Sequence, residues 1–278
     1  MDREHALVLG GGGIAGIAWH TGMVAGMAAA GVDVTGADLI VGTSAGSTVA
    51  AQLASGTTVE EWFQRQADPA RQGHELRPTG MSVADLWEMM IRVHEETPDP
   101  TERRRRIGAM ALAADTVPEA VRRRVVAGRL PGVTWPDRRV VIVAVEAQRG
   151  DRCAFDAGSG VDLVDAVAAS SAVPGVWPPT TIAGRRYIDG GVFSSANADL
   201  ATGYQTVLVL APMVDPDLAG QLEQVRARGR AEVVSPDHDA LAAFGPDPLD
   251  PSIRSTVARA GRAQGTQVAA SVAELWNR

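Results

Sequence analysis

Twice before Gly56 the chain runs from a short apolar strand through a glycine-bearing turn into a helical stretch, an order that few folds accept. Ala6 to Leu9 reads as a strand, Gly10 to Gly13 as the turn, and Ile14 to about Ala30 as a helix stopped by Gly31. Asp38 to Val41 then enters Gly42-Thr43-Ser44-Ala45-Gly46 and a second helix that reaches Gly56. Repeated strand-turn-helix units build parallel sheets with helices on both faces. Val140 to Val145 is unbroken and β-branched, as suits a central strand buried on both sides, and Thr206 to Leu210 repeats that pattern. The expected fold class is therefore α/β, with three α/β/α layers around a central, mostly parallel sheet.

Between Thr57 and about Asp137 the pattern changes. Trp62, Phe63, Leu86, Trp87, Met90, Ile91 and Val93 fall at helical spacings, interrupted by Pro69, Pro78, Pro98 and Pro118. The spacing predicts a helical cap inserted over 57–137 into one domain spanning 1–278. Further on, a helix is expected from about Asp162 to Ala172, and Tyr187-Ile188 leads into Asp189-Gly190-Gly191. Residues 213–251 are rich in Pro and Asp and show no period. Pro251-Ser252 is expected to cap a final helix carrying Ile253, Val257, Val268, Val272 and Leu275 on one face.

The net charge of −7 disfavours a nucleic-acid partner, whose phosphates call for a positive surplus. All 26 Lys and Arg positions are arginine, the usage expected of a GC-rich bacterial genome when Ala and Gly are also abundant. Cys153 is alone, which excludes an intrachain disulfide and fits a reducing compartment. The opening residues MDREHALVLGGGG lack the features of a signal peptide, and no apolar run approaches the ~18 residues of a membrane span. A cytoplasmic location is expected, with peripheral attachment to the inner membrane face as its variant.

Gly42-Thr43-Ser44-Ala45-Gly46 is a G-x-S-x-G placed where a strand meets a helix, and such an elbow holds its serine up and exposed. The helix that follows points its free N–H groups and positive dipole end at the place where acyl transfer develops negative charge. An isolated G-x-S-x-G is more often a plain tight turn, so context decides. Gly10 to Gly13 can present backbone donors without Cβ obstruction, as an oxyanion loop requires. The same segment also reads Gly11-x-Gly13-x-x-Gly16, the fingerprint of a dinucleotide-binding turn. That alternative wants an acidic residue at the end of the second strand, where this chain has Gly42-Thr43-Ser44.

Four blocks in this order, the glycine run, Gly42 to Gly46, Ala169-Ser170-Ser171-Ala172-Val173-Pro174 and Asp189-Gly190-Gly191, resemble the motif blocks of the patatin-like phospholipase family. The resemblance touches residues 6–56 and 162–211. It implies a lipid or acyl-ester substrate, Ser44 as nucleophile, Asp189 as base, Gly11, Gly12 and Gly13 as the oxyanion loop, and no metal or organic cofactor. The block from Ala169 to Pro174 is similar to a segment that lines the site. Ala15 stands where many members carry Lys or Arg, so no charge for an anionic head group is expected there. Phe193, Ser194, Ser195 and Ala196 intervene before Asn197, where members often place Asn and Pro closer to the aspartate.

A serine-aspartate dyad asks a carboxylate with an ordinary pKa near ~3.9 to act as base, so burial beside Ile188 and Val192 would have to raise it. Modest activation favours esters over amides. Within hydrolases the alternative is a triad of Ser44, Asp189 and His238, although His238 sits in the polar Pro236-Asp237-His238-Asp239. The non-enzyme alternative is a nucleotide-binding or regulatory protein that uses the glycine loop for phosphate. His20 is expected to pack or cap, and His5, His74 and His94 form no metal-ligand pattern. Arg103 to Arg106 and Arg122 to Arg124 flank the apolar stretch Ile107 to Leu112, which is expected either to rest on an anionic membrane as part of the cap or to form a solvated helix face.

Overall fold

The computed structural model describes residues 4–276. In chain order it comprises β1 (His5–Leu9), α1 (Gly13–Ala29), β2 (Leu39–Thr43), α2 (Ala45–Leu53), α3 (Val59–Ala67), α4 (Val83–Glu96), α5 (Pro100–Ala113) and α6 (Glu119–Arg129). There follow β3 (Arg139–Glu146), β4 (Arg152–Phe155), α7 (Leu163–Ser170), β5 (Thr180–Ile182), β6 (Arg185–Asp189), β7 (Thr206–Leu210), α8 (Leu218–Arg226), β8 (Arg230–Val234), α9 (His238–Phe244) and α10 (Arg254–Trp276). The strands form one sheet in the order β5-β6-β3-β2-β1-β7-β8, with β4 also paired to β3. From β3 to β8 the neighbours run parallel, whereas β4 and β6 join β3 antiparallel and β5 joins β6 antiparallel. This is the three-layer, mostly parallel α/β/α architecture that the sequence predicts.

Alternation along β1 divides the core. Leu7 and Leu9 join Ile40 and Ile142 under α1, α2 and α10, while Ala6 and Val8 join Val41, Val143 and Val207 on the face covered by α8 and the turn at Ala198–Ala201. Helix α1 lies against α10 almost backbone to backbone: a Cβ on Gly22 or Gly265 would stand 2.2 Å from a carbonyl oxygen of the other helix. Small residues thus let the two helices merge into one layer, and Trp19 Nε1 donates to Gln264 Oε1 across it at 2.8 Å.

The segment 57–137 is helical, but most of it packs into the body. Trp62 and Phe63 of α3 are buried, as are Ile107, Gly108 and Ala111 of α5, whereas α4 buries only Val93 and leaves Trp87 and Ile91 exposed. This corrects the expectation that Ile107 to Leu112 could rest on a membrane: Ile107 joins Val145 and Ile188 in the core. The neighbouring arginines are engaged locally, Arg103 on Thr97, Arg104 on Gly150, Arg105 on Arg149 and Arg106 on Glu96. Among the described residues no helix is long and apolar enough to cross a membrane.

Residues 213–251, which show no period, contain α8, the edge strand β8 and α9. An edge strand with one partner needs no continuous apolar run, so Arg230 to Val234 carries no β signal of the buried kind. The start of α10 also differs from expectation. Asp250, not the Pro251-Ser252 pair, is the cap: its carboxylate accepts from Ser252 N–H at 2.9 Å and opens a single 3-10 turn from which α10 continues.

Candidate active site

Ser44 follows the last residue of β2 and stands immediately before α2, with φ 53° and ψ −114°, a backbone conformation that L-residues other than glycine avoid. Its N–H donates to Ser170 Oγ at 2.9 Å, and its carbonyl accepts from both Ser47 N–H and Ser47 Oγ. These contacts hold the elbow in its strained form. Ser44→Gly removes the Cβ from this unfavourable region and should raise the unfolding free energy by about 1 kcal/mol. Lower stability in chemical denaturation would mean that the elbow stores no strain.

Asp189 ends β6, and the sheet register brings it to Ser44. Thr43 pairs with Val143 and Asp189 with Ala144, so the ends of β2 and β6 flank β3 at neighbouring rungs. The Asp189 N–H is fixed by Ala172 O at 3.0 Å, and one carboxylate oxygen accepts from Gly191 N–H at 2.7 Å. The other oxygen, Oδ2, is buried without a full hydrogen bond. Burial pushes the carboxyl up to about 6, against the weaker opposing pull of the Ser44 hydroxyl, the Gly191 N–H and the Arg122 charge, all of which favour the ionised form. Ser170 and Ala172 lie in the block Ala169 to Pro174, which therefore latches both Ser44 and Asp189.

The three loop glycines are not equivalent. Gly11 departs from the expected donor role, because its N–H is taken by Ser195 O at 2.9 Å. Among the described residues no acceptor takes the N–H of Gly12 or Gly13 at the start of α1, nor that of Ala45 at the start of α2. Two helix N-termini thus leave donors open beside Ser44, and Ala45 is the α2 donor that the elbow in the sequence leads one to expect. Gly10 O binds this arrangement together by accepting from Gly46 N–H at 3.1 Å and from His20 Nε2 at 2.9 Å. Burial pulls the His20 pKa down to about 4, so His20 remains neutral and works as a fixed donor beneath the loop.

The longer loop behind Asp189 turns back on the same elbow. Asn197, buried with φ 54°, donates through Nδ2 to Thr43 Oγ1 at 3.1 Å, next to Ser44. His238, by contrast, is exposed at the start of α9 beside Asp239, so the structure does not bring it to Ser44 and Asp189. Among the described residues no group of His, Cys, Asp and Glu is arranged to hold a metal ion.

A cleft of about 300 Å³, open to solvent, is lined at Ser44 by Gly13, Ile14, Ile17, Ala45, Ser171, Val173, Trp177 and Leu249. Arg122 and Arg129 reach it from α6. A larger cleft of about 530 Å³ shares Ile14, Ile17 and Arg129 with it and continues past Trp62, Gln66, Glu75 and Arg254. The larger one does not hold Ser44, so the smaller is where chemistry at Ser44 would occur.

A family model described as patatin-like phospholipase matches residues 7–202. No curated protein matches the chain. Among solved structures the chain is similar to VipD from Legionella pneumophila, with 12% identity and a TM-score of 0.47, over 98% of this chain and 67% of that one. It is similar also to the type III effector protein ExoU, with 17% identity and a TM-score of 0.45, over 97% of this chain and 53% of that one. Full-length ExoU in complex with SpcU, from the type III secretion system of Pseudomonas aeruginosa, gives 16% identity and a TM-score of 0.36, over 96% of this chain and 53% of that one. The chain thus spans about two thirds of the length of VipD and about half that of ExoU.

Proposed function

Since the chain belongs to the patatin-like phospholipase family, we propose that it hydrolyses carboxylic esters of lipids, with Ser44 as nucleophile and Asp189 as its base. The observation that carries this reading is a buried carboxylate with one unpartnered oxygen facing a serine held on a strained strand-to-helix elbow. Asp189 takes the Ser44 hydroxyl proton as Oγ attacks the ester carbonyl carbon. The N–H groups of Gly12, Gly13 and Ala45 receive the negative charge on the tetrahedral oxygen, and Gly11 keeps the loop in place through Ser195. As the C–O bond breaks, Asp189 returns the proton to the departing alcohol. Water then attacks the acyl-serine with Asp189 again as base, and as the acyl C–Oγ bond breaks Asp189 returns that proton to Ser44 Oγ and the carboxylic acid leaves.

In this reading the chain is one hydrolase domain and the helices of 57–137 form its cap. Helix α6 furnishes a wall of the cleft. Contact with a lipid surface falls to α4, where Trp87 and Ile91 are exposed one turn apart. A carboxylate base activates its serine only modestly, so esters are turned over and amides are not.

A fluorophosphonate probe tests the assignment directly. It should label the protein at Ser44, with loss of labelling in Ser44→Ala and undiminished labelling in His238→Ala. An unlabelled, folded protein that is thermally stabilised by a nucleotide would replace this reading with phosphate binding at the glycine loop.

A further inference from the structure

Arg122 is buried at 5% exposure, and its Nε and Nη1 make no hydrogen bond to any described residue. Two other arginines of the same region are fully engaged. Arg129 holds Glu75 with two parallel bonds at 2.8 and 2.7 Å, and Arg254 is held by Gln66 Oε1 and the carbonyls of Gly73 and Arg65. Of the two buried carboxylates whose charges act on Arg122, Glu75 is bonded to Arg129, and Asp189 Oδ2 makes no hydrogen bond to the Arg122 N–H groups. The Arg122 guanidinium instead lies over the Trp177 ring, 4.0 Å from its centroid, which supports its plane and leaves its edge free. Arg122 lines the cleft that holds Ser44.

A buried guanidinium whose N–H groups find no acceptor is unfavourable, and the oxygens of a ligand would satisfy it. Burial draws the Arg122 pKa down to about 9, which leaves it charged at neutral pH. A planar guanidinium with neighbouring N–H groups open matches the two oxygens of a phosphate or carboxylate.

We propose that Arg122 is the receptor for an anionic oxygen group, phosphate or carboxylate, carried by the ester substrate close to the bond that Ser44 attacks. The inference rests on the reading of Ser44 as an esterase nucleophile, and it names the substrate class of that site: acyl esters bearing a negative charge. Arg122 acts here as a specificity determinant and takes no part in the proton transfers.

The test compares the wild type, Arg122→Gln and Arg122→Lys at pH 8, where Asp189 is ionised. Three esters of one acyl length serve as substrates: a monoacylglycerol, its 3-phosphate, and a p-nitrophenyl half-ester of a dicarboxylic acid. A charge-assisted pair predicts that the wild type prefers a charged ester by ~10-fold or more. Arg122→Gln should abolish that preference, lowering turnover of the charged esters ~10-fold more than that of the neutral ester and mainly through KM, with Arg122→Lys between the two. Loss confined to the 3-phosphate assigns the group to a head group, and loss confined to the half-ester assigns it to the acyl end. An equal fall on all three esters, or no fall on any, overturns the proposal.

Two measurements do not depend on turnover. Inorganic phosphate should raise the melting temperature of the wild type and leave that of Arg122→Gln unchanged. Arg122→Gln should itself melt no lower than the wild type, because buried N–H groups without an acceptor have been removed. A melting point lowered by several degrees would make Arg122 a structural anchor on Trp177 and overturn the receptor role. If the wild type cleaves none of the esters, the esterase reading is what fails, and the phosphate shift alone decides Arg122.

Discussion

Asp189→Asn should lower kcat/KM for an acyl ester by roughly a thousandfold at pH 8, and the same variant should melt at a higher temperature than the wild type. The two effects have one cause. The site keeps a carboxylate out of water so that it can act as a base, and that burial raises its pKa from 3.8 to about 6. The folded state therefore holds the proton more tightly than the unfolded chain does. Below pH ~3.8 the group is protonated in both states, and its favourable contribution is fully present. As pH rises through about 6 the folded protein must carry a buried charge, and roughly 3 kcal/mol of that contribution is lost. Asparagine is neutral at every pH and nearly isosteric, and its carbonyl can still accept from Gly191 N–H. The gap in melting temperature between variant and wild type should thus be wide at pH 8 and close near pH 4. Activity of the wild type should rise with pH through about 6, as ionised base accumulates. An Asn variant that is less stable at pH 8, or that keeps most of its activity, would show that Asp189 is a structural carboxylate.

Gly46→Ala should destabilise the fold by about 4 kcal/mol or more, enough to leave little native protein. A Cβ at this position would lie 1.9 Å from Leu9 O and 2.4 Å from Leu9 C. Both atoms are backbone in the middle of the sheet, so no side-chain rotation relieves the overlap. The first turn of α2 would have to leave β1, and with it would go the Gly46 N–H bond to Gly10 O that ties the elbow to the glycine loop. Gly220→Ala in α8 is the control. Nothing lies within 4 Å of its added Cβ, and a helix interior gains up to about 1 kcal/mol from the exchange. Denaturant midpoints of the two variants, measured side by side, should move in opposite directions. A Gly46→Ala protein close to wild-type stability would mean that β1 and α2 can separate, and the contact argued to hold the elbow would lose its role.

The parts of this molecule that were legible are those whose causes are local. Val140 to Val145 announces a central strand because each residue faces an apolar layer, and the elbow at Ser44 announces itself because strand, turn and helix are consecutive. The antiparallel strands β4, β5 and β6 have three to five residues and no run to mark them. β6 is nonetheless the strand that delivers Asp189. The stretch Ile107 to Leu112 looked like a candidate for a lipid surface since hydropathy does not state what it packs on, and the fold sets it against β3 and β6.

Ser44 on its turn, the glycine loop, the α/β order and the four motif blocks follow from sequence alone, because helix and strand periodicity and the steric freedom of glycine act over a few residues. Which groups surround Ser44 is a matter of register and packing between distant segments. Ser170 reaches Ser44 across 126 residues of chain, and Asn197 reaches Thr43 across 154. The loop glycine whose N–H is spent, Gly11, is set by Ser195 on another loop. Arg122 makes the point most simply. It is one of three consecutive arginines, and Arg123 and Arg124 are exposed, with Arg123 bridging Asp162 and Asp165. A helix turns by about 100° per residue, so only one member of such a run faces the body. Tertiary packing alone decided that this one, buried and with N–H groups that find no acceptor, lines the cleft of Ser44.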